Sequence, residues 1–129
     1  MKAVDTNIVL RFILNDDPAQ AKIAEEVIRG GIFVPTTVML EAGWVLSARY
    51  GFDRERLADI LAALLDMPTI KVADEAGMRG AIEHLRRGAD LADAIHLVSA
   101  GGSDAFVTFD RALARMAGPP IPIELAAPA

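Results

Sequence analysis

A chain of 129 residues with a net charge of −5 and 53% apolar residues can bury one hydrophobic core, and its acidity argues mildly against a nucleic-acid partner. It has no cysteine, which excludes disulfides, thiol nucleophiles and zinc–thiolate sites. No apolar run approaches the roughly 20 residues of a membrane-spanning helix, and Asp5 falls too early for a signal peptide's apolar region, so a cytoplasmic protein is expected.

Ala3 to Asp5 reads as a first strand, after which Ile8, Val9, Phe12 and Ile13 recur at helical spacing. Asp17-Pro18 is a helix start, Asp as N-cap and Pro at the first helical position, and Gly30-Gly31 stops that helix after Arg29. Ile32 to Val34 reads as a second strand, and Thr36 or Thr37 is expected to cap a long helix that Gly51 ends. Asp53 opens a helix with Leu57, Ile60, Leu61, Leu64 and Leu65 on one face, closed by Pro68. Ile70 to Val72 is a third strand. Asp74 then caps a helix to Arg87, and Asp90 caps another over Leu91 to Ala100, with Asp93 as an acidic variant of the capping box. Ala105 to Thr108 is a fourth strand, Asp110 starts a short helix to about Ala117, and prolines flank an edge strand at Ile121 to Glu124.

Short strands alternating with helices predict an α/β fold on a parallel sheet. No repeat, low-complexity stretch or linker interrupts the chain, so one domain over residues 1–129 is expected.

Asp5, Glu41, Asp93 and Asp110 each stand where a plain core would carry an apolar residue. Glu41 interrupts an apolar helical stripe, with Val38 before it and Trp44 and Val45 after. An ionised carboxylate is costly to bury without a partner, and oxygen-only ligands suit Mg²⁺ or Mn²⁺. Ligands of open parallel sheets gather beyond the carboxyl ends of the strands, where helix N-termini also point. Asp5 and Asp110 follow strands directly, while Glu41 and Asp93 lie in the first turns of helices, so the four are expected to meet around a cation. Such a site supports attack of water on a phosphodiester. Against this, Asp5, Asp93 and Asp110 can each be helix caps and nothing more. Asp90 is explained by capping, Thr6 and Asn7 by turn chemistry, and His96 by packing. Thr108 can support a neighbouring carboxylate or water. Ten arginines, Arg49 among them, remain to meet phosphates.

The series Asp5-Thr6-Asn7, then Glu41 in a capped helix, then Asp90-Leu91-Ala92-Asp93-Ala94-Ile95, then Thr108-Phe109-Asp110, resembles the PIN-domain nucleases. Within them it is most similar to the VapC toxins of prokaryotic toxin–antitoxin pairs. The resemblance implies a three-layer α/β/α fold around a central parallel sheet of four to five strands. It also implies Mg²⁺- or Mn²⁺-dependent cleavage of RNA, homodimers, and inhibition by a small cognate antitoxin. Asp5, Glu41, Asp93 and Asp110 match the family's acidic quartet, both catalytic and metal-binding. Asp90, Thr6, Asn7 and Thr108 are placed as supporting residues.

Two other classes place acids at strand ends. A receiver domain wants a lysine after a late strand, and the only lysines are Lys2, Lys22 and Lys71. A haloacid-dehalogenase phosphatase wants a second aspartate two residues after the first, where Asn7 stands. A non-catalytic PIN-like scaffold or partner-binding protein is the remaining alternative.

Overall fold

The computed structural model describes residues 1–127, so the last two residues of the expected domain lie outside the described residues. In chain order the elements are β1 (Lys2–Ala3), α1 (Thr6–Leu14), α2 (Pro18–Arg29), β2 (Ile32–Phe33), α3 (Thr36–Ala48), α4 (Arg54–Asp66), β3 (Ile70–Lys71), α5 (Glu75–Arg86), α6 (Leu91–Ser99), β4 (Phe106–Thr108), α7 (Arg111–Ala114) and β5 (Ile123–Leu125). Aspartate caps start six of the seven helices among the described residues. Asp17 accepts from Gln20 N at 3.2 Å, Asp53 from Arg56 N at 2.8 Å and Asp74 from Gly77 N at 2.8 Å, and Asp5, Asp90 and Asp110 do the same for α1, α6 and α7. The exception is α3. Its N-cap is Pro35, and neither Thr36 nor Thr37 caps it, because the helix has already begun at Thr36.

All strand pairing is parallel, and the α/β class stands. The expected single sheet of four to five strands does not. A three-stranded sheet runs β1-β2-β3, and β4 pairs separately with β5. The reason lies in β1, which is only two residues long. Successive residues of a strand direct their backbone groups to opposite sides. Val4 N–H bonds Phe33 O at 3.2 Å towards β2, which leaves only Ala3 and the extended Asp5 to face a partner on the other edge. So short an edge gives little on which to build a ladder, and among the described residues none joins β1 to β4. The last strand also lies later than expected, at Ile123–Leu125, and α7 stops at Ala114 rather than near Ala117.

The core centres on α3, which packs against α1, α4 and α6. Its Met39, Ala42 and Leu46 are at most 1% exposed and meet Ile32, Val34, Ala58, Leu61 and Ile95 in one cluster. Gly43 lets α6 come close: a Cβ there would stand 2.4 Å from Leu91 Cδ2. Arg54, at the start of α4, donates to Leu85 O at 2.9 Å and Ala89 O at 2.5 Å, tying down the turn that leads into α6. Along the α4–α5 seam Arg86 meets Asp59 at 2.6 Å, Glu55 at 2.7 Å and Glu83 at 3.3 Å, and Arg79 meets Asp66 at 2.9 Å.

Among the described residues no polar or charged side chain is buried, which corrects the expectation that the four acids occupy core positions. Glu41 and Trp44 do share a helical face, but it is an exposed one; the buried face of α3 carries Met39, Ala42, Gly43 and Leu46. No helix among the described residues is long and apolar enough to cross a membrane.

Candidate functional site

The seven site acids and hydroxyls fall into two groups. In the first, buried Val4 brings the chain out of β1, and Asp5 turns it into α1 by accepting from Ile8 N at 3.3 Å. One residue on, Thr6 Oγ1 donates a hydrogen bond to Glu41 Oε1, reaching from α1 to the neighbouring α3. Asp5, Thr6, Asn7 and Glu41 line one side of a depression of about 480 Å³. The bond from Thr6 ties the Glu41 carboxylate to the start of α1.

In the second group Asp90 caps α6, accepting from Ala92 N at 2.8 Å and Asp93 N at 3.3 Å. Asp93 does not return the bond, so the capping-box reading of its carboxylate fails. Among the described residues that carboxylate has no hydrogen-bond donor and no ion-pair partner. Asp110 caps α7 through Leu113 N at 3.0 Å, and its own N–H is held by Thr108 Oγ1 at 3.0 Å. Asp90, Asp93 and Asp110 share a cleft of about 440 Å³ whose far wall is Leu113 and Met116. Partial burial, then the charges of Asp90 and Asp110, push the Asp93 carboxyl above the usual carboxylate range, with His96 opposing them.

The four acids are not seen as one cluster among the described residues. Among the described residues no group of three or more His, Cys, Asp or Glu side chains is spaced to hold one metal ion. Asp5 and Glu41 line one depression, Asp93 and Asp110 the other. Asp5 follows β1 and Asp110 follows β4, strands that share no ladder among the described residues. In donor chemistry the set fits a hard divalent cation, since every ligand is an oxygen and the carboxylates of the second group already repel each other. The residues that sequence reasoning overlooked surround the first group. Arg11 lines its depression, and Trp44 and Tyr50 stand exposed beside it, although Trp44 had read as part of an apolar stripe.

The raised Asp93 pKa carries a sign. The folded protein holds a proton on Asp93 more tightly than the unfolded chain, so stability falls as pH rises through the window from the unfolded value of 3.8 to the higher folded one. In metal-free buffer, Asp93→Asn is therefore expected to melt higher than the parent at neutral pH, with the gap closing below that window. Thermal unfolding across pH measures it. A parent that melts higher than the variant at neutral pH would contradict the repulsion.

Residues 2–119 of the chain match the family model for the PIN domain. A comparison with curated proteins finds no match.

Proposed function

The chain belongs to the PIN-domain family, whose members are generally metal-dependent nucleases, and from that premise we propose that it is an endoribonuclease and the toxin of a VapBC-type toxin–antitoxin pair. The observation that carries the reading is Asp93, a half-buried carboxylate with no structural partner, beside two other acids. A group so placed costs stability and gives none back to the fold, which supports a functional role for it.

In this reading one domain over residues 1–129, with helices on both faces of its sheet, acts in the cytoplasm as a homodimer. Asp5, Glu41, Asp93 and Asp110 would hold Mg²⁺ or Mn²⁺ beside the substrate phosphate. When bound, the cation lowers the pKa of an attacking water and offsets charge on the leaving oxygen. Thr6 keeps Glu41 aimed, Asn7 flanks Asp5, Thr108 holds the Asp110 backbone, and Asp90 anchors the helix that presents Asp93. An apolar groove of about 220 Å³ bordered by Leu40, Leu57 and Leu91, between α3, α4 and α6, supports docking of a small antitoxin's amphipathic segment.

The separation of the two groups favours one alternative, a PIN-like scaffold without catalysis. A single experiment decides. The purified protein is incubated with single-stranded RNA in Mg²⁺ or Mn²⁺, in EDTA, and with the product of a small neighbouring reading frame. Cleavage in metal alone, abolished by EDTA and by the partner, is the expected result. Equal cleavage in EDTA defeats the metal mechanism, and no cleavage in any metal favours the scaffold.

A further inference from the structure

The chain contains one tryptophan and one tyrosine. Neither is spent on the core, since Trp44 is 59% exposed and Tyr50 44% exposed. Both rings line the depression that holds Asp5 and Glu41, and Arg11 and Arg49 line it with them. Trp44 lies three residues after Glu41, on the same face of α3, so ring and carboxylate are neighbours on the helix surface. Arg49 and Tyr50 follow at the helix's C-terminal end.

Leaving two large rings in water forfeits burial that a core would have used, and nothing in the fold compensates for it. The combination matches what unpaired nucleotides need. Every base has a π-face that stacks on an aromatic ring, and guanidinium groups meet the phosphates between the bases. We propose that Trp44 and Tyr50 form a stacking platform for the unpaired bases of single-stranded RNA, with Arg49 meeting the backbone phosphates beside the Asp5–Glu41 edge of the site. Arg11 contributes less, because its guanidinium is already held by Asp16 at 3.0 Å. The proposal rests on the nuclease reading and adds the side chains that would grip the substrate beside Asp5 and Glu41. Bases inside a duplex are stacked on one another and cannot use such a platform, so unpaired RNA is selected over paired RNA.

Trp44 supplies its own readout as the chain's sole tryptophan. The full-length Asp110→Asn protein in Mg²⁺ is titrated with a short unstructured RNA and, separately, with inorganic polyphosphate of matched charge, while tryptophan fluorescence is followed. RNA is expected to quench Trp44 and polyphosphate to leave it unchanged, since only RNA can stack. By anisotropy of a labelled RNA, Trp44→Ala and Tyr50→Ala are each expected to bind about tenfold more weakly. Trp44→Phe should retain most of the affinity. Because both side chains are exposed, the variants should melt within a few degrees of the parent.

Equal quenching by polyphosphate, or unchanged RNA affinity in Trp44→Ala, overturns the platform. So does a Trp44→Ala protein that binds RNA normally but no longer binds a protein partner, which would assign the ring to a protein interface. Cleavage of RNA by the parent without any quenching sinks the platform and leaves the nuclease reading standing. Quenching without cleavage does the reverse.

Discussion

Asp5→Asn, Glu41→Gln, Asp93→Asn and Asp110→Asn are each expected to cut RNA at least 100-fold more slowly than the parent, with circular dichroism unchanged. That factor is about 2.7 kcal/mol of transition-state stabilisation, a modest demand on a group that touches a catalytic cation. The amides separate chemistry from folding because the structural bonds survive them. An asparagine at position 5 or 110 still caps its helix, and a glutamine at position 41 still accepts from the Thr6 hydroxyl. What each variant loses is charge alone. If the four act as one unit, a double amide such as Asp5→Asn with Asp110→Asn is scarcely worse than either single one. Asp90→Asn should be milder, since its carboxylate is engaged with Ala92 N and Asp93 N and an amide oxygen can do the same. An inactive Asp90→Asn beside an active Asp93→Asn would show that the ligand on α6 has been misassigned.

The largest effect on stability is expected at Leu46→Ala. Leu46 is 0% exposed at the centre of α3, the helix that touches α1, α4 and α6. Truncating a buried leucine costs about 2–5 kcal/mol, the transfer of its lost carbons plus the cavity left behind. A domain of this size holds only about 5–15 kcal/mol in all, so the melting temperature should fall by roughly 10–20 °C. The neighbouring Ser47→Ala, exposed on the same helix, is the control and should shift stability by less than about 0.5 kcal/mol. A drop of only a degree or two in Leu46→Ala would mean that α3 is not the packing centre.

How far the amino-acid sequence discloses this molecule depends on the range of the forces involved. The aspartate caps were legible because capping is local: Asp17-Pro18, Asp53, Asp74 and Asp90 each act on amides two or three residues away. The acids at the ends of β1 and β4 were legible for the same reason. Sheet assembly was not, because strands of two or three residues carry too little alternation to specify a register or a neighbour. The exposed face of α3 was hidden too. That helix is apolar around most of its circumference, so Val38, Trp44 and Val45 gave no sign that Glu41 faces water while Leu46 does not. Whether the four acids gather at one point depends on the partnership of β1 with β4, and spacing along the chain carries no information about that.

The arginine hub on the α4–α5 seam shapes the electric field of the whole molecule. Arg86 and Arg79 are spent neutralising Glu55, Asp59, Glu83 and Asp66. Asp90, Asp93 and Asp110 outnumber the one arginine, Arg87, on the lining of their shared cleft, and none of the three acids forms an ion pair among the described residues. Such a face gathers counterions and repels a polyanion over about one Debye length, roughly 10 Å at 0.1 M salt. Diluting monovalent salt lengthens that reach. Association with RNA at this face should therefore slow as ionic strength falls, opposite to the usual behaviour of proteins that bind nucleic acids through basic surfaces.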